Sequence, residues 1–121
     1  MPTLAEEAYS VATQREPATL AAELAELLGQ RVTAYAVGLR DPRTIGRYAR
    51  SEVDIDPSVA QRLVDLYAVL TILKRRLANT TARAWLLGSN PLLSGMTPIE
   101  LLHASHAAEV VGAAESFIQA G

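Results

Sequence analysis

Val59, Leu63, Leu66, Leu70, Leu73 and Leu77 step along the chain by fours and threes, the period of an α-helix rather than of a strand. Just upstream stands Asp56-Pro57, a residue that caps helix starts followed by one whose fixed φ suits the first helical position. Together they predict a long helix from Asp56 to about Ala78. An apolar stripe of that length needs a partner surface along all of it. This is a first ground for expecting a dimer or a larger assembly.

Shorter helices flank it. Leu20, Leu24, Leu27 and Leu28 form an earlier stripe, with Glu23 and Glu26 off it, starting at Pro17 and stopping at Gly29. A short helix is expected over Val32 to Leu39, and Asp41-Pro42 repeats the start signal to open a third that runs to about Ser51. After Asn79 a short helix around Trp85 leads into the turn-rich stretch Gly88 to Gly95. Thr97-Pro98-Ile99-Glu100 then reads as a capping box. It opens the first of two terminal helices, about Pro98 to Ala104 and Ala107 to Ala120.

Residues 1–16 are polar and weakly periodic: a frayed arm, or one extra helix with Leu4, Ala8 and Val11 on its apolar face. No stretch reads as a strand and none repeats. The expected architecture is all-α: the 1–16 arm, a helix-turn-helix module over 17–79 with a long fourth helix, and a small helical module over 80–121. Half of the 121 residues are apolar, enough for a core that the two modules share in part.

The charge distribution narrows the function. Net charge is −2, so no overall basic excess draws the molecule to nucleic acid or to an anionic membrane. Yet four of the eleven basic residues, Arg40, Arg43, Arg47 and Arg50, fall within residues 40–50. At about 100° per residue Arg43, Arg47 and Arg50 share one face of the third helix, with Ile45, Tyr48 and Ala49 roughly opposite. A short helix, a tight connection and a second helix with a cationic face is the geometry that enters a DNA major groove. Arg43, Thr44 and Arg47 would read bases, with Arg40 and Arg50 beside them. DNA-binding regulators of this kind commonly read two half-sites, a second ground for expecting a dimer or a larger assembly. The alternative is a solvated basic face with no ligand. Lys74, Arg75 and Arg76 close the long helix, where its dipole favours cations whatever the function.

Residues 82–121 carry a more specific pattern: Trp85-Leu86, Asn90-Pro91, Leu93, Gly95, Thr97-Pro98, Leu101-Leu102, Val111, Ile118 and Gly121. This resembles the toxin-binding domain of Xre/MbcA/ParS-like antitoxins, and Asp41 to Tyr48 resembles the helix-turn-helix of the same proteins more loosely. Two serines depart from the pattern: Ser94 stands where the family often has a glycine, and Ser105 where a glycine usually separates the last two helices. The resemblance implies a RES-fold, NAD-consuming toxin as partner, its active site blocked by the end of the last helix, and operator DNA as a second ligand. Trp85, Asn90, Pro91, Glu115, Phe117, Ile118, Gln119 and Gly121 are the toxin-binding candidates it implies. Phe117 and Ile118 are equally readable as core residues, and Trp85, Leu101 and Leu102 as structural ones.

Catalysis finds no support. The chain has no cysteine, which removes thiolate metal sites and cysteine nucleophiles. Glu100, His103, His106 and Glu109 recur by threes, but such steps drift around a helix and spread a ligand set apart. Neither a phosphate loop nor a nucleophile elbow appears. No catalytic residue, metal or cofactor is expected. Glu6 and Glu7 stand where a signal peptide carries cations, and no apolar run approaches the ~18 residues of a membrane span, so a cytoplasmic protein without membrane contact is expected. Two other readings stay open: a free-standing helix-turn-helix regulator without a toxin, and a helical adaptor that binds protein and never DNA.

Overall fold

The computed structural model describes residues 1–120. In chain order the helices are α1 (Leu4–Thr13), α2 (Pro17–Leu28), α3 (Gln30–Ala36), α4 (Arg43–Ala49), α5 (Pro57–Leu73), α6 (Asn79–Leu87), α7 (Pro98–His103) and α8 (Ala107–Ala120), with a 3-10 turn at Pro91–Leu93. Among the described residues there is no strand, and the fold is all-α.

Side chains set the helix starts. Thr3 and Glu6 close a capping box on α1, and Thr97 and Glu100 close another on α7. At α5 the Asp56 carboxylate accepts from the Ser58 N–H at 2.8 Å. Asp41 does the same for the Arg43 N–H at 2.9 Å, so its carboxylate caps the first turn although α4 begins two residues after it.

α5 ends at Leu73, short of the expected Ala78. The N–H groups of Arg75 and Arg76 turn back to the carbonyls of Ile72 and Leu73, tightening the last turn. The three adjacent cations thereby stay in solvent, while Leu77 returns to the core edge. The stripe finds its partner within the chain: Leu63, Leu66, Leu70 and Leu73 are buried by α1, α2 and α8. The inference of a dimer from that stripe therefore loses its ground.

α1 lies along α5 and touches α8. Ala8 and Ala12 are its buried positions, while Leu4 and Val11 are only partly covered. Two polar contacts pin it. The Ala5 N–H donates to Glu115 Oε2 at 3.0 Å, and the Tyr9 hydroxyl to Asp65 Oδ1 at 2.8 Å. One apolar core runs through the molecule, from Leu20, Leu24 and Ile45 to Leu86 and Val110; each such side chain contributes roughly 1.5–3 kcal/mol of burial.

Three helices end in the same way. The N–H of Leu39 reaches Ala34 O, that of Glu52 reaches Arg47 O, and that of His106 reaches Leu101 O; inside each lies the shorter bond of a Schellman motif. Gly38, Ser51 and Ser105 occupy the left-handed position, with φ of 79°, 57° and 68°. Beside the first sits the guanidinium of Arg62, whose Nη2 donates to Leu102 O at 2.8 Å, His103 O at 2.6 Å and Ala36 O at 3.4 Å. These carbonyls are at or near the last residues of α3 and α7, where helix dipoles attract a cation. A Cβ at residue 38 would lie 2.5 Å from Arg62 Nη1. His103 stacks on Tyr35 in the same seam, ring centroids 4.1 Å apart, and its Nδ1 lies 2.8 Å from Tyr35 O.

Candidate functional site

Two surfaces carry the candidate residues. The first is the outer face of α4. Ile45 and Tyr48 are buried and α4 packs on α2 and α3. A Cβ at Gly46 would meet the ends of the Gln30 and Arg50 side chains, at 2.9 and 3.1 Å. Arg40, Arg43, Arg47 and Arg50 are exposed and Thr44 is half-buried, so the basic residues do share an open face.

Two of these arginines already have partners. Arg43 pairs with Asp41, Nη2 to Oδ2 at 3.0 Å, and its side-chain hydrogen bonds hold that carboxyl below the usual range. Arg50 pairs with Glu52 and lowers its carboxyl similarly. Among the described residues no ion pair or side-chain hydrogen bond engages Arg40 or Arg47. The face is thus less positive than four arginines suggest. Glu52 lies just past the helix and outside its periodicity, which is why the helical projection missed it.

The second surface belongs to the C-terminal module and is organised by Asn90. This residue is 7% exposed. Its side-chain Oδ1 accepts from the Leu92 N–H at 2.9 Å, its backbone N–H donates to Met96 O, and its carbonyl accepts from Leu93 and Gly95. These bonds fold residues 90–96 into a loop that turns Leu93 inward and Leu92 outward, 8% and 60% exposed. Met96 and Phe117 stand out beside it, each 43% exposed. Trp85 is half-buried with its ring centroid 6.2 Å from that of Phe117, and between them lies a groove of about 330 Å³ that reaches Pro91 and Leu92. Past Leu92 a second groove of about 570 Å³ runs along α8 over Gly112 and Ser116.

The end of α8 separates the candidates. Phe117 and Gln119 face solvent, whereas Ile118 is buried. Glu115 is turned to the start of α1. Gly121 lies outside the described residues. Leu92 and Met96 belong to the uncovered apolar face and were not among the candidates. The available signal was Leu92-Leu93 in a tight turn, where two successive leucines cannot both point inward.

Ser94 and Ser105 both adopt the left-handed conformation that a glycine would take, at φ 57° and 68°. Serine thus occupies, in both turns, a backbone conformation that glycine reaches more freely. Glu100, His103, His106 and Glu109 are not brought together. Glu100 caps α7, His103 stacks on Tyr35, and His106 lies 3.6 Å from Glu109. No described helix is long and apolar enough to cross a membrane.

No protein-family model matches the chain, and no curated protein matches it. The fold itself occurs in a two-protein toxin–antitoxin assembly. That assembly is the crystal structure of the M. tuberculosis MbcT–MbcA toxin–antitoxin complex. The match has a TM-score of 0.73 and 23% identity over 85% of this chain and 94% of that one. The likeness therefore spans both halves of the molecule, and at this identity it establishes the fold.

Proposed function

We propose that this chain is the antitoxin of a toxin–antitoxin pair, which binds and neutralises a RES-fold, NAD-consuming toxin and performs no chemistry itself. The observation that carries the reading is the uncovered apolar face of Trp85, Pro91, Leu92, Met96 and Phe117. It lies in the module that resembles a toxin-binding domain, within a fold shared with a chain of a toxin–antitoxin complex. Aromatic and aliphatic anchors that gather around a groove are what protein interfaces use for most of their affinity. Gln119 lies at the exposed end of α8, and in the proposed complex it makes the contact with the toxin's active site.

The test is co-expression with the adjacent gene, affinity capture, and measurement of the neighbour's growth arrest and NAD loss. A stable complex that restores growth and NAD supports the antitoxin. Leu92→Ala and Phe117→Ala should each weaken capture about tenfold or more, the scale of a hot-spot side chain, with little change in stability because both side chains are exposed. No complex and no rescue would refute the reading.

The second function proposed is operator binding through α4, which would let the antitoxin regulate its own operon. Arg47, whose side chain makes no ion pair or hydrogen bond among the described residues, is the leading contact, flanked by Arg40, Arg43, Thr44 and Arg50. Arg47→Ala should cost ~1–3 kcal/mol of operator affinity as a base contact, or lower the salt slope by ~1 as a phosphate contact. The Asp41 and Glu52 ion pairs favour the competing adaptor that never touches DNA. Absence of any mobility shift with the parent chain would favour that competitor, whereas a shift left unchanged in an Arg40→Ala, Arg47→Ala double variant would refute α4 as the DNA contact.

A further inference from the structure

A slot of about 250 Å³ opens between α1, α2 and α5. It shares no lining residue with the grooves at Trp85 and Gly112 or with the arginine face of α4. Val11 of α1, Leu27 of α2 and Tyr67 and Leu70 of α5 form its walls. Leu27 lies on the apolar stripe of α2, yet Leu20, Leu24 and Leu28 are buried and Leu27 is only half covered. Val11 and Tyr67 are likewise half-buried. Three helices therefore meet and leave apolar surface open between them.

The rim is cationic. Thr71, Lys74 and Arg75 complete the lining, and Arg15 lies over the Tyr67 ring at 5.1 Å. Arg75 is paired with Glu7 at 3.1 Å and Arg15 with Glu23 at 3.4 Å. Lys74 is exposed and makes no ion pair or side-chain hydrogen bond among the described residues. The α5 dipole accounts for a cation at this helix end, but not for the uncovered apolar walls beneath it. An apolar slot with one uncommitted ammonium at its mouth is locally complementary to an amphipathic anion, although the chain as a whole carries a net charge of −2. Ligand sites commonly measure ~300–1,000 Å³, so this one limits its occupant to a short chain or a single ring.

We propose that the slot binds a small amphipathic monocarboxylate, with its hydrocarbon body against Val11, Leu27 and Leu70 and its carboxylate at Lys74. The test titrates the full chain with octanoate and, separately, with octylammonium, following backbone amide shifts by NMR. Octanoate should give saturable shifts centred on Val11, Leu27 and Thr71, and octylammonium should bind about tenfold more weakly, because an exposed charge contact worth up to about fivefold in affinity is replaced by a repulsion of similar size. Lys74→Gln should weaken octanoate binding several-fold and Lys74→Glu should reverse the preference. The variants' own spectra show whether each is folded, and an exposed residue at a helix end tolerates both changes. Absence of saturable shifts at millimolar octanoate, shifts centred elsewhere, equal binding of the two probes, or indifference to Lys74→Gln would each overturn the proposal.

Discussion

Replacing Gly38 by alanine isolates what the seam between α3 and α7 requires. Serine occupies the same left-handed position at residues 51 and 105, so a positive φ alone does not demand glycine in this fold. What singles out residue 38 is Arg62, whose Nη1 would lie 2.5 Å from an added Cβ. The backbone strain of a non-glycine residue there is roughly 1–2 kcal/mol, offset by about 0.4–1 kcal/mol from the stiffer unfolded chain. The guanidinium must also retreat from Leu102 O and His103 O. Charge-assisted hydrogen bonds are worth ~1.5–3 kcal/mol; discounted for a half-exposed side chain, the retreat costs about 1–2 kcal/mol. Gly38→Ala should therefore destabilise by about 2–3 kcal/mol in urea unfolding followed by far-ultraviolet circular dichroism. With Arg62→Met already in place the same change should cost only about 1 kcal/mol, a coupling of 1–2 kcal/mol by these figures. Additive penalties, agreeing within about 0.5 kcal/mol, would refute the argument that Arg62 is what excludes a side chain at residue 38.

Ser94→Gly and Ser105→Gly should each stabilise, by about 0.5–1 kcal/mol once the unfolded-state cost is subtracted from the relieved strain; a melting temperature unchanged or lower in both would count against it. Burial, then the hydrogen bond to Asp65, pushes the Tyr9 phenol above its usual 10. Tyr9 is thus neutral in the folded chain while the unfolded chain ionises first, so its contribution is complete below about pH 10 and declines as pH rises further. Tyr9→Phe should lower stability at neutral pH by about 0.5–1.5 kcal/mol and flatten that alkaline decline; unfolding midpoints measured across it check both. At the acid end, hydrogen bonds from Thr97 hold Glu100 below its usual 4.5. Its contribution is present above that value and is lost as pH falls through the lowered one, and Thr97→Ala should make the acid decline shallower than in the parent chain.

Where a structural role was confined to a few neighbouring residues, the sequence disclosed it. Asp56-Pro57 and Thr97 to Glu100 do start helices, and the stripe on α5 is buried from Leu63 to Leu73. The end of α5 was hidden because leucine periodicity continues through Leu77 while the last turn tightens around three cations. Long-range pairings were hidden for a different reason. Ala5 and Glu115 are 110 positions apart, and Arg62 meets carbonyls 40 and 41 positions away; no local period encodes such partners. At the candidate surfaces, periodicity identified the exposed side of α4 but not the carboxylates that pair with it. The last helix likewise presents Phe117 and buries its neighbour Ile118, a choice set by α8 lying against α5 and α7.

In the loop from Asn90 to Met96, the side chains that hold the shape differ from those on display. Asn90 and Leu93 are buried and fix the backbone, while Pro91, Leu92 and Met96 stand outside and bond to nothing through their side chains. Natural variation can therefore rewrite the outward residues one at a time while the scaffold beneath keeps its form. On the proposed antitoxin reading, related chains sharing one ancestor would come to recognise different toxins by this route, and pairs that coexist in one cell would stop cross-reacting while their folds remained superimposable.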